Sequence, residues 1–151
     1  MSPDRKFWLR PAPANLIWLV LFVIGLINLV RGGGHLLLSD GGAGAAGISL
    51  AHSGAADLVY VFGVSGAFEL LLALWQGYIA LWQRALLAAG FWTQIAKSGL
   101  VLLLGYALKP PVGPPPGLIP DAGTLIAAAL CLVLLALFDG QAGRPQIYRP
   151  H

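Results

Sequence analysis

The stretch LVYVFGVSGAFELLLALWQGYIALWQRALLAAGFWTQIAKSGLVLLLGYAL, from Leu58 to Leu108, decides how this chain folds. It contains two apolar runs, Leu58–Trp82 and Ala85–Leu108, separated only by Gln83 and Arg84. A bilayer core needs roughly 20 apolar residues per helical span, so each run is long enough to cross one. A connection this short makes the two spans antiparallel neighbours in a helical hairpin.

Upstream, Leu16–Val30 is apolar except for Asn28 and follows a basic lead with Arg5, Lys6 and Arg10. It reads as a first span over about 14–31, with Leu36, Leu37 and Leu38 able to extend it past Gly32-Gly33-Gly34. A cleaved signal peptide is the rival reading. It is disfavoured because Arg31 directly follows the run and no small-x-small site stands behind it. The stretch 32–57 is rich in Gly, Ala and Ser and reads as an outer loop. Downstream, 109–120 carries six prolines and reads as a stiff outer connection; Asp121 then opens a fourth span over 121–138.

The expected fold is therefore all-α, a single membrane domain over 1–151 built as a four-transmembrane-helix bundle. Composition agrees. The chain is 58% hydrophobic and 10% charged, with a mean hydropathy of +0.78, far from a soluble domain. A length of 151 residues leaves no room for a soluble catalytic domain beside four spans. The nine basic residues form no dense run alternating with aromatics, so nucleic-acid binding has no support. A single cysteine, Cys131, excludes an intramolecular disulfide, a CxxC pair and a multi-thiolate zinc site.

Orientation follows from the flanking cations. Arg5, Lys6, Arg10, Arg84, Arg144 and Arg149 fall on one side of the four-span layout, and Arg31 and Lys109 on the other. The positive-inside rule then puts both termini in the cytoplasm. Trp8 and Trp82 near the inner boundary, with Tyr60 and Tyr106 near the outer one, agree.

Glu69 lies fourteen residues before position 83 and Lys97 fourteen after it, so the hairpin carries an acid and a base to the same depth near mid-span. An unpaired charge there costs roughly 2.5 to 3.5 kcal/mol, which pairing largely offsets. Both belong to polar or small stripes: Ser65, Glu69, Ala73 and Gln76 on the second span, and Gly90, Thr93, Gln94, Lys97 and Val101 on the third. Gly25 and Asn28 give the first span a similar face, and Thr124, Ala127, Ala128 and Cys131 the fourth. Two roles stay open for the pair. One is a clamp fixing helix rotation; the other is a group that changes protonation or binds the polar head of a hydrophobic ligand.

A second candidate site lies at the outer face: Arg31, His35, Asp40, His52 and Asp57. Its spacing fits no metal pattern, so no metal is expected. No cofactor is expected either. A haem would need both His35 and His52 to turn into the bundle, and haem and quinone stay open alternatives. No catalytic residue is assigned: the chain has no Gly-x-Ser-x-Gly elbow and no His-Glu-x-x-His helix, and its glycine runs lack a Gly-Lys-Ser/Thr ending.

Arg31, Gly34-His35 and Asp40-Gly41-Gly42 after the first span, a Glu in the second, and Lys109-Pro110 after the third resemble small uncharacterised bacterial four-helix membrane proteins of a DoxX-like kind. The resemblance implies a multi-pass protein of the bacterial cytoplasmic (inner) membrane and leaves the activity open. On size and the lack of a soluble domain, the first expectation is a non-catalytic accessory or structural subunit. Its partners would be the lipid bilayer and another membrane protein or a second copy. The second is a small carrier or hydrophobic-ligand-binding protein using Glu69 and Lys97. A polar cavity reaching the pair would favour the second, and a dry, closely packed pair the first.

Overall fold

The computed structural model describes residues 12–111 and 117–142, with side chains over 16–111 and 117–137. It is all-helical: α1 (Ala12–Leu37), α2 (Ala55–Trp82), α3 (Leu87–Leu103) and α4 (Leu118–Ala142). A 3-10 turn, Arg84–Leu86, leads into α3, and a π-helical turn, Leu104–Leu108, extends it. Four helical stretches are long and apolar enough to cross a membrane: Leu16–Leu37, Ala55–Trp82, Arg84–Leu108 and Leu118–Leu137. Arg5, Lys6, Trp8, Arg10, Arg144 and Arg149, on which much of the orientation argument rests, lie outside the described residues.

The polarity of the bundle is inverted relative to a water-soluble protein. Gln76, Gln94, Asn28, Asp121 and Ser98 are among the largest fully buried side chains, while Leu71, Leu74, Trp92, Leu100 and Val133 face outward. In water that arrangement would expose the apolar surface whose burial drives folding; surrounded by hydrocarbon it loses nothing.

α1 and α2 form the closest pair, antiparallel, and glycine lets their backbones touch. A Cβ on Gly32 would lie 2.7 Å from the Gly66 carbonyl oxygen, and one on Gly66 would lie 2.7 Å from that of Gly32. Such close approach is the usual basis of helix association in lipid, where dispersion contacts must replace the hydrophobic effect. α3 and α4 form the second antiparallel pair. The hairpin partners α2 and α3 touch less, meeting through Gln76–Gln94, Glu69–Lys97 and the packing of Ile79 against Leu87 and Phe91. Arg84 at their turn holds its guanidinium 4.4 Å above the Trp18 ring of α1.

Two boundaries differ from the sequence reading. Residues 32–37 are not loop: α1 runs unbroken through Gly32-Gly33-Gly34 to Leu37. Of these, Gly32 serves the α1/α2 contact, and intrahelical hydrogen bonds carry the helix through all three. The proline-rich connection is also shorter than 109–120, because α4 starts at Leu118 with Pro120 in its first turn, where a missing N–H breaks no helical bond. Asp121 bonds Lys97, which stands eleven residues before Leu108, or about 16 Å along α3. α4 therefore begins at half depth, beside the middle of α3. Just before it Gly117 has φ +75°, and a Cβ there would lie 2.9 Å from Arg31 Nη2.

Candidate functional site

Each helix contributes one charged side chain to a ring. Arg31 of α1 reaches Glu69 Oε1 through Nη2 at 3.3 Å and Asp121 Oδ1 through Nη1 at 3.1 Å. Lys97 Nζ reaches the same two oxygens, at 3.0 Å and 2.6 Å. Two cations and two carboxylates thus alternate with no net formal charge, and each carboxylate uses one oxygen to bridge both cations. The second oxygens, Glu69 Oε2 and Asp121 Oδ2, are buried without a hydrogen-bond partner among the described residues.

Deeper along each helix, toward the start of α1, sits a second tier of uncharged polar groups, again with a member from every helix. Gln94 is its hub. Its carbonyl oxygen accepts from Asn28 Nδ2 at 2.9 Å and Gln76 Nε2 at 3.0 Å, and its amide nitrogen donates to Ser98 Oγ and Thr124 Oγ1, both at 2.9 Å. All four hydrogen-bonding positions of one side chain are filled, each from a different residue. Asn28 also donates to Gln76 Oε1 at 2.8 Å. The sequence periodicity explains the two tiers: Arg31 and Asn28, Lys97 and Gln94, and Asp121 and Thr124 are each three residues apart, and Glu69 and Gln76 seven, so each pair shares a helix face.

A third tier closes the bundle beyond these. Ile17, Leu21, Ile24, Ile79, Leu87, Phe91, Ala128 and Cys131 form one buried apolar cluster. A Cβ on Gly90 would lie 2.7 Å from Leu21 Cδ2, which shows how tightly this plug is packed. The hydrophobics packed around it, Trp18, Val20, Ile95, Ala127, Leu132 and Leu135, widen this apolar layer.

On the opposite side of the ring lies a cavity of about 580 Å³. Arg31, Glu69, Lys97 and Asp121 form its floor; Phe62, Phe68, Leu72 and Val101 are among the apolar residues of its walls; Gly42, Ala45 and Ala46 of the α1–α2 loop cover it. The floor presents its cations more than its anions. The side chains of Arg31 and Lys97 are 23% and 17% exposed, those of Glu69 and Asp121 only 7% and 0%.

The loop that covers the cavity is held by the residues of the Gly34-His35 and Asp40-Gly41-Gly42 motifs. Asp40 accepts the Gly42 and Gly44 backbone N–H groups, both at 2.9 Å. These bonds hold its carboxyl below the ordinary value of 3.8, since they favour the ionised form. Gly41 and Gly42 have φ of +60° and +81°, values that L side chains rarely adopt. His35 donates from Nδ1 to the Gly41 carbonyl at 2.7 Å, a direction fixed because a carbonyl can only accept, and its ring stacks on Phe62 with centroids 5.4 Å apart.

Of the side chains expected at mid-span, Glu69, Lys97, Gln94, Gln76 and Asn28 come together in the first two tiers. Ser65 instead stands on the cavity wall. Thr93 lies outside the network, bonding the Gly90 carbonyl of its own helix at 2.8 Å. The outer-face group is dispersed: Arg31 joins the ring, His35 the cavity wall and Asp40 the loop, while His52 accepts the Gly54 N–H at 3.2 Å and Asp57 sits exposed in the first turn of α2. Among the described residues no three His, Cys, Asp or Glu side chains are grouped to hold a metal ion. Sequence reasoning missed Asp121 as a ring member and Ser98 as part of the second tier. A count of charges was the available signal, because Arg31 and Lys97 are two cations beside apolar spans for which Glu69 alone supplies one partner.

The fold and site together define a class: a bundle of four membrane-length helices with a neutral charge ring at the bottom of a one-ended cavity. No family model matches the chain, and neither a curated protein nor a solved structure is significantly similar to it.

Proposed function

We propose that this chain is a multi-pass integral membrane protein that binds a small hydrophobic molecule by its polar head, in the cavity above the charge ring. The cavity carries the reading. A clamp serving only to fix helix rotation is best built dry, because low dielectric strengthens the pairs and water weakens them; here the floor of a roomy cavity is made of the ring itself. The apolar walls suit a hydrocarbon body and the ring a polar head, the usual anatomy of a small-ligand site. The apolar plug opposes a continuous pore, so the site is read as a binding pocket or one state of a carrier. A bacterial cytoplasmic membrane, with both termini on the cytoplasmic side, remains the proposed setting, and the DoxX-like resemblance is compatible with it.

Native-state mass spectrometry of protein extracted in mild detergent tests this against the accessory-subunit reading. A retained small molecule, lost when Val101→Trp fills the cavity, is the expected result. A stoichiometric partner chain with no small molecule in either form would overturn it in favour of the subunit.

A further inference from the structure

Resting on that reading, we infer that the ligand's head is uncharged and accepts hydrogen bonds, a carbonyl-type group on an apolar body, and that Lys97 and Arg31 are the residues that hold it.

The donors come first. Lys97 has three ammonium N–H groups and two carboxylate contacts, so at least one is left over; Arg31 has five N–H groups, and its two contacts leave several. Both cations face the cavity, whereas the carboxylates are nearly closed off and their free oxygens, Glu69 Oε2 and Asp121 Oδ2, have no measurable surface. A molecule entering the cavity therefore meets N–H donors before it meets any carboxylate acceptor. A cationic or purely donating head finds the wrong chemistry on this floor.

Charge balance then separates a neutral acceptor from an anion. The ring is already neutral, so an anionic head would leave one uncompensated negative charge at mid-helix depth, and isolated charge there is costly. A carbonyl oxygen takes the spare donors and adds no net charge. His35 offers the head no donor from Nδ1, whose proton is committed to the Gly41 carbonyl. The walls suit the body of such a molecule: Phe62, Phe68, Leu72 and Val101 are apolar, and the stacked His35 and Phe62 rings give one side a flat face.

A matched series of radiolabelled probes with one alkyl chain tests the inference by equilibrium binding to the full-length protein in nanodiscs: 2-undecanone, undecanoate, undecyltrimethylammonium and undecane, with empty nanodiscs as the partition control. The ketone should bind saturably at one site per chain, about tenfold or more tighter than undecane. Lys97→Met should abolish that preference. If this variant fails to fold, Val101→Trp, which leaves the ring intact, should still remove saturable binding. Tighter binding of undecanoate or of the ammonium probe than of the ketone would overturn the inference about the head group while leaving a ligand pocket in place. Absence of saturable binding for all four would overturn the pocket as well.

Discussion

The ammonium of Lys97 lies 2.6 Å from Asp121 Oδ1, so the mid-helix lysine of α3 is tied to the first turn of α4. Its contact with Glu69 across the α2–α3 hairpin is longer, at 3.0 Å, and Arg31 repeats the order at 3.1 and 3.3 Å. Asp121 is also the more buried acid. It is therefore the stronger anchor of the ring.

Neutralising either acid leaves two cations sharing one carboxylate, and breaking a buried pair by removing one partner costs about 3 kcal/mol or more. Asp121→Asn should approach that figure, and Glu69→Gln should cost less because its contacts are longer. Unfolding by denaturant in mixed micelles measures both. A larger loss for Glu69→Gln would contradict the assignment of Asp121 as anchor.

The glycine contact between α1 and α2 makes a paired prediction. Gly66→Ala places a Cβ 2.7 Å from both the Gly32 carbonyl oxygen and His35 Cβ, and should destabilise by about 1 to 3 kcal/mol as the helices part. Gly63→Ala meets nothing within 4 Å in the same helix. It should be neutral or stabilising by up to about 1 kcal/mol, as helix propensity alone dictates. Equal effects at the two positions in a thermal melt would rule out close packing there.

Gln94→Leu removes the hub of the second tier and strands donors or acceptors on Asn28, Gln76, Ser98 and Thr124, at a cost of about 1 to 3 kcal/mol. Adding Asn28→Leu should cost less than its single effect, since part of the stranded set is then gone. Strict additivity in the double-mutant cycle would mean that the two side chains are not coupled.

The helical hairpin and the common depth of Glu69 and Lys97 were legible because a two-residue connection fixes register, so counting outward from position 83 measures depth on both helices. Asp121 was read only as the residue opening a span. Its depth depends on where α4 begins alongside α3, a tertiary register that no local pattern encodes. Arg31 was placed at the outer boundary because Gly32-Gly33-Gly34 resembles a break. That run stays helical because Gly32 packs on Gly66, a tertiary contact that overrides the low helix propensity of glycine.

Asp40 predicts a pH dependence of the loop over the cavity. Its folded carboxyl titrates below the ordinary 3.8 because the ionised form accepts the Gly42 and Gly44 amides. The stabilisation this gives the loop is complete above the unfolded value and is lost as pH falls through the lower folded value. Amide exchange at Gly42 and Gly44, corrected for intrinsic rates, should show constant protection down to that ordinary value and a loss below it. Asp40→Asn should flatten the profile. A loss of protection centred well above the ordinary value would assign it to another group.

The most direct test of the one-ended cavity is thiol labelling in a Cys131→Ala background with a charged, membrane-impermeant methanethiosulfonate reagent. Val101→Cys, one helical turn beyond Lys97 on the cavity wall, should be modified from the aqueous phase, whereas Ile79→Cys, within the apolar plug, should stay unmodified until the protein is denatured. Protection of the thiol at 101, or ready labelling of the thiol at 79, would contradict a water-reachable cavity that ends at the charge ring.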